Sequence, residues 1–213
     1  MDANFWHERW QANQIGFHQP KPNAMLVAHI GALDLAPGAR IFLPLCGKTL
    51  DIGWLLGQGF RIAGAELSRL AIEQLFEGLG VTPEITEAGA LTRFSADGID
   101  IFVGDIFALD AATLGPVDAV YDRAALVALP DGMRARYAGH LPVLTSHVPQ
   151  LLVTFDYDQS VMDGPPFSVP RATVDGLYAS TFRITALANA PVEGGLKGIA
   201  PATEIALHLS PGR

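Results

Sequence analysis

One cysteine, Cys46, stands in a chain of 213 residues, so no intrachain disulfide can form and nothing calls for an oxidising compartment. Positive charge is scarce as well: 14 Lys and Arg face 22 Asp and Glu, for a net charge of -8, and no basic run occurs. A polyanion-binding surface needs clustered Lys and Arg, so a double-stranded nucleic acid is not an expected partner. The six histidines show no H-x-x-x-H spacing and there is no C-x-x-C, which leaves a metal site without support. The opening residues, MDANFWHERW, carry Asp2, Glu8 and Arg9 and no apolar segment. They read as neither a signal peptide nor a membrane anchor, and the expected location is cytoplasmic.

What the chain has instead is apolar residues, 49% of the total against 17% charged, which excludes global disorder and provides for a sizeable core. No repeat, low-complexity tract or linker interrupts it. A single domain over 1–213 is expected, monomeric, with residues 1–36 as a helical lid segment and 37–213 as the core.

The organising stretch is 40–66. An apolar run (Ile41, Phe42, Leu43, Pro44, Leu45) turns at Cys46-Gly47, a helical segment follows with Leu50, Trp54 and Leu55, and a second apolar run ends on Glu66. This is the pattern of a nucleotide-binding β-α-β unit, with Glu66 placed 19 residues after Gly47, near the spacing that sets an acid on a ribose hydroxyl. The turn lacks the second glycine of a dinucleotide fingerprint. Gly47-Lys48-Thr49 imitates the end of a phosphate loop, but Phe42 occupies the position of its first glycine, so no phosphate cradle forms. A glycine-poor turn with an acid on the next strand suits adenosine without pyrophosphate, as in S-adenosyl-methionine.

Further runs alternate with helical segments. Residues 2–20 hold Phe5, Trp6, Trp10 and Phe17, read either as a helix packed on the core or as an aromatic lid, and 23–35 as a second helix. Ser68 can cap a helix over 69–79. Residues 91–94 and 99–103 read as a hairpin, 117–121 and 151–155 as buried strands, 132–146 and 174–180 as helices, and 182–187 and 204–209 as closing strands. The fold class is therefore α/β, a doubly wound, mostly parallel sheet with ligand groups at the carboxyl ends of its strands.

Those ends supply the candidates. Glu66 can accept from both ribose hydroxyls. Asp105, before Ile106 and Phe107, suits an adenine amino group or serves only as a turn residue. Asp122-Arg123 is the pair expected to carry the chemistry, or else a local ion pair. Cys46 has no histidine partner in the sequence and reads as a small buried turn residue. A non-catalytic module that binds S-adenosyl-methionine would explain Glu66 equally. An O- or N-methyltransferase would need a general base, for which only Asp122 or a histidine is available.

At these residues the sequence resembles the thiopurine S-methyltransferase family. The resemblance runs through Phe5-Trp6, Trp10, Gly16-Phe17-His18, the stretch Phe42 to Lys48, Gly64 to Ser68, Gly104 to Phe107, Tyr121 to Leu129 and Gly164-Pro165-Pro166-Phe167. It implies a class I methyltransferase fold with a seven-stranded sheet. It implies S-adenosyl-methionine as donor, with S-adenosyl-homocysteine as product and no metal. Trp6, Trp10, Leu45, Glu66, Ile106 and Arg123 would then meet the donor, with Phe17 near the cleft; Asp105, from its strand-end position, is expected to join the donor residues, and Phe17, Pro166, Phe167 and Lys197 are the residues expected at the acceptor. Acceptors would be aromatic or heterocyclic thiols, with selenium or tellurium species in some bacterial relatives. The chain departs from animal members in 192–198, where Lys197 stands in a stretch that in them carries an arginine.

Overall fold

The alternation of apolar and amphipathic segments resolves, in a computed structural model describing residues 3–212, into one sheet flanked by helices. Met1, Asp2 and Arg213, the ends of the expected lid and core segments, lie outside the described residues. The chain opens with helices α1 (Ala3–Gln11) and α2 (Ala24–His29), the latter running into a 3-10 turn at Ile30–Leu33. The β-α-β unit is β1 (Arg40–Pro44), α3 (Leu50–Gly57) and β2 (Arg61–Glu66). Helix α4 (Arg69–Leu79) follows, capped by the Ser68 hydroxyl on Ala71 N at 3.3 Å. Next come β3 (Glu84–Ala88), β4 (Leu91–Ala96), β5 (Ile99–Val103), α5 (Ala111–Leu114) and β6 (Ala119–Arg123). The last third is α6 (Asp131–Leu144), β7 (Gln150–Tyr157), α7 (Arg171–Tyr178), β8 (Phe182–Pro191) and β9 (Ala202–Pro211).

The strand order is β3-β4-β5-β2-β1-β6-β7-β9-β8, nine strands among the described residues where seven were expected. Strands β5, β2, β1, β6 and β7 run parallel, and antiparallel β9 and β8 close one edge. The two extra strands are β3 and β4, an antiparallel ribbon continued from β5 at the other edge. The expected hairpin of 91–94 with 99–103 is present as β4 and β5.

Side chains alternate across each strand and build two cores. Ile41 and Leu43 of β1 pack with Ile52 of α3 and Phe76 of α4. Phe42, between them, points the other way and joins Tyr137 of α6 and Tyr178 of α7. Each fully buried large apolar side chain contributes about 1.5–3 kcal/mol relative to exposure. The order reverses between β1 and β6: the chain winds from β1 towards β5, then returns to lay β6 and β7 on the other side. At such a switch point the strand ends part, and a crevice opens at their carboxyl termini.

Candidate active site

The crevice is a cavity of about 880 Å³. Its floor is the carboxyl ends of β1, β2, β5 and β6, its roof is α1 with the segment to Gln19, and its far wall is Pro165, Pro166 and the connection from β8 to β9. The turn after β1 is held in an uncommon shape. Leu45 has φ +47° and Gly47 φ +52°, and Cys46 N donates to Ala65 O at 3.0 Å. Ala124, after β6, has φ +62°. Leu45 and Ala124 thus carry left-handed backbone, sparsely populated for non-glycine residues, at the two strands flanking the switch point. Gly47 meets a second constraint, because a Cβ there would lie 3.1 Å from Trp10 Cζ2.

Glu66 is the brace of this turn. Its Oε2 accepts from Gly47 N and its Oε1 from Ser68 N, both at 2.8 Å, so one carboxylate ties the first turn to the start of α4. Burial pushes its pKa up, and the N–H groups of Ser68 and Gly47 oppose the shift. Each oxygen keeps a lone pair free. The cap reading and the ligand reading are thus compatible at one residue.

Asp105 likewise lines the cavity while its Oδ1 caps Phe107 N at 3.0 Å. Ile106 is buried beside it, and the Phe107 ring lies under Arg136 at 3.8 Å. Trp6 and Trp10 share one face of α1 and both meet Phe17 edge to face, at 5.8 and 5.5 Å. All four of Trp6, Trp10, Phe17 and Leu45 line the cavity.

Asp122 and Arg123 part company. Arg123 faces the cavity, with Nη1 donating to Phe17 O at 3.4 Å and a buried Nε that has no partner. Asp122 is wholly buried on the opposite face, where its Oδ2 accepts from Tyr137 Oη at 2.7 Å and its Oδ1 from Leu126 N at 3.1 Å. Burial pushes its carboxyl up to about 6, with Tyr137 opposing. Consecutive strand residues point to opposite faces, so the expected catalytic placement of Asp122 is corrected: it is not a cavity residue. Phe167 is corrected too. Gly164 has φ +80° and its Cβ position is filled by the Phe167 ring at 2.6 Å, a turn that leaves Pro165 and Pro166 in the cavity. Phe167 itself turns out towards Arg134, at 5.6 Å, in a separate depression. Lys197 is in the cavity wall, its Nζ donating to Pro165 O at 2.7 Å.

Other cavity residues were not among the site residues expected from the sequence. Asp51, the second residue of α3, is buried and accepts from Asn23 N at 2.7 Å and Tyr121 Oη at 3.0 Å. Strand alternation does predict Tyr121 once Arg123 is placed, since the two are two residues apart. His18 stands near Lys48 and Arg123, and its basicity is lowered by burial first and then by those cations. The residues fit S-adenosyl-methionine: a carboxylate with spare acceptors at the end of β2, an unpartnered buried guanidinium nitrogen at the end of β6, and aromatic rings above. Among the described residues no group of three or more His, Cys, Asp or Glu is arranged to hold a metal. No helix among them is long and apolar enough to cross a membrane.

The family model for thiopurine S-methyltransferase matches residues 1–196. The chain belongs to the thiopurine S-methyltransferase family. It is thus an enzyme that methylates sulfur. A thiopurine S-methyltransferase of Xanthobacter autotrophicus is 63% identical over 205 residues, covering 96% of each chain. One from Gluconobacter oxydans is 51% identical over 210 residues, covering 99% of this chain and 96% of that one. Among solved structures, the 1,6-didemethyltoxoflavin-N1-methyltransferase of Burkholderia thailandensis, with bound S-adenosylhomocysteine, aligns with a TM-score of 0.63 at 15% identity. That match covers 98% of this chain and 87% of that one, and shows the shared class I methyltransferase fold.

Proposed function

We propose that the cavity binds S-adenosyl-methionine on its β1, β2 and β5 side and an aromatic or heterocyclic thiol between Phe17, Pro166 and Lys197, and that the methyl group passes to the thiol sulfur. The observation that carries this reading is the convergence of Glu66 and Arg123 on one cavity at the switch point, each with unspent hydrogen-bonding capacity. Glu66 accepts from the ribose hydroxyls while keeping its two backbone partners. Asp105 and Ile106 receive the adenine, and Leu45 and the Trp6–Trp10 face close over the remainder. S-adenosyl-methionine supplies, when bound, a sulfonium-activated methyl group.

The chain's part in the reaction is alignment, exclusion of water and stabilisation of an anionic sulfur. Lys48 and Arg123, both lining the cavity, favour a thiolate over a thiol in their neighbourhood. Such an acceptor needs no general base. The withdrawal of Asp122 beneath the sheet fits that demand, while His18 stays in the cavity as the group that an oxygen or nitrogen acceptor would use as base. Selenium and tellurium species, polarisable like sulfur, belong to the same acceptor chemistry. The reading is tested by following donor-dependent product formation across aromatic thiols and selenium or tellurium oxyanions. Thioether is expected from the thiols, and donor binding without turnover of any of them sinks the proposal. Arg123→Ala is expected to keep the fold and lose about a hundredfold in turnover through misalignment.

A further inference from the structure

Helix α6 grips two cavity turns from behind. Arg134, Tyr137 and His140 recur every three residues and so share one face of the helix. None of them lines the cavity, yet each holds a segment that does. The Tyr137 hydroxyl donates to Asp122 Oδ2 at 2.7 Å, and Oδ1 of the same carboxylate accepts from Leu126 N at 3.1 Å. Arg134 Nη2 donates to Leu129 O at 2.8 Å. The turn that follows Arg123 is therefore pinned at both ends. Between them Val127 O accepts from Phe167 N at 2.6 Å, which joins the Pro165–Pro166 loop to the same turn. His140 Nε2 lies 3.0 Å from Ile106 O; a carbonyl only accepts, so this nitrogen donates. Ile106 and Arg123 stand at the ends of β5 and β6, which β2 and β1 separate in the sheet, and one helix spans both.

Two features call for such a support. Ala124 holds left-handed backbone, φ +62°, a shape that persists only where its surroundings dictate it. Arg123 makes one long hydrogen bond, 3.4 Å to Phe17 O, and its buried Nε has no partner. With so little to hold the guanidinium from the cavity side, its backbone decides where it stands. We propose that this face of α6 positions the site from outside it: Tyr137, through Asp122, sets Arg123 for methyl transfer, and His140, through Ile106, sets the wall that receives the adenine. Neither residue touches donor or acceptor, and each acts through the turn that it holds. The inference rests on the donor placement and the Arg123 role proposed above.

Tyr137→Phe and His140→Phe each remove one hydrogen bond and leave a ring in place. Both are compared with wild type by kcat on an aromatic thiol and by calorimetric affinity for S-adenosyl-homocysteine. Tyr137→Phe is expected to lose about tenfold in kcat, with affinity changed by less than about twofold. His140→Phe is expected to lose about fivefold in affinity, with kcat changed by less than about twofold, and His140→Gln, which keeps a donor, to regain that affinity. Tyr178→Phe is the control, because its hydroxyl is buried in the same core without a hydrogen-bond partner. The same pattern of losses in the two variants, wild-type values in both, or a Tyr178→Phe protein as impaired as Tyr137→Phe overturns the proposal. In an Arg123→Ala background Tyr137→Phe should cost no further turnover; a full further loss shows a damaged fold and overturns positioning. Full turnover in Arg123→Ala alone refutes the role given to Arg123 instead. Should wild type methylate no thiol, the thiol reading fails, and should Tyr137→Phe not fold, its arm is lost. In either case the His140 arm decides by calorimetry alone, and unchanged affinity in His140→Phe overturns the proposal.

Discussion

Replacing Glu66 by Gln changes one atom and is expected to weaken two properties together. The carboxylate accepts from Gly47 N and Ser68 N, each at 2.8 Å, in a buried setting. A carboxamide has one oxygen for the two N–H groups and turns its own N–H2 towards the other, so one buried donor is left without an acceptor. Such a loss costs about 1–3 kcal/mol, and at about 2–4 °C per kcal/mol for a chain of this size the protein without donor should melt about 2–12 °C lower. Donor binding should suffer separately. A hydrogen bond to a charged group is worth about 1.5–3 kcal/mol, so affinity should fall about 10–150-fold. Thermal unfolding without donor reads the first effect, and calorimetric titration with S-adenosyl-homocysteine reads the second. A melting temperature within about 1 °C of wild type would refute the bracing role, since even the low end of the estimate exceeds it. An unchanged donor affinity would remove Glu66 from the ribose.

Asp122 sets a pH dependence of stability. Its folded pKa, about 6, stands above the ordinary 3.8, so its stabilising contribution is complete below the lower value and is lost as pH rises through the higher. The difference amounts to about 3 kcal/mol, and urea unfolding between pH 4 and 7 should show a flatter loss of stability in Asp122→Asn than in wild type; identical slopes would contradict the burial argument. Gly47→Ala should cost about 1–3 kcal/mol and weaken donor binding, because the added methyl meets left-handed backbone and the Trp10 ring together; a variant that melts like wild type would show that both yield. The Cys46 thiol is buried and its pKa lies well above the ordinary value, from burial first and the Glu66 charge next. An aromatic disulfide reagent should therefore label native protein at about a hundredth of the unfolded rate or less, and stoichiometric labelling within seconds would be inconsistent with that environment.

The central β-α-β unit was legible because burial on both faces leaves an unbroken apolar run, and because Gly47 and Glu66 bracket it at a fixed interval. Strand β3 was not. Glu84, Ile85, Thr86 and Glu87 are all exposed on an edge ribbon, so neither face imposes a pattern on the sequence. Adjacency misled at Asp122-Arg123, where two charges next to each other in the sequence suggested one role. The strand repeat sends the acid to Tyr137 and the base to the cavity, a separation that the period of two alone implies. The turn at Gly164 hid a similar divergence, since a positive φ there decides which side of the loop its proline pair and Phe167 occupy.

The connection from β8 to β9 reaches the cavity from the sheet's outer margin. It brings Val192, Glu193, Leu196 and Lys197, and none of the donor's proposed partners. It is fastened by β9 against β7, while β8 ends freely at the edge with a bulge between Ala186 and Ala188. Length and composition in that arm are therefore insulated from the strands that hold Glu66 and Arg123. On the proposed assignment, members of such a lineage can diversify what they methylate by rewriting one peripheral hairpin, without renegotiating the donor site each time.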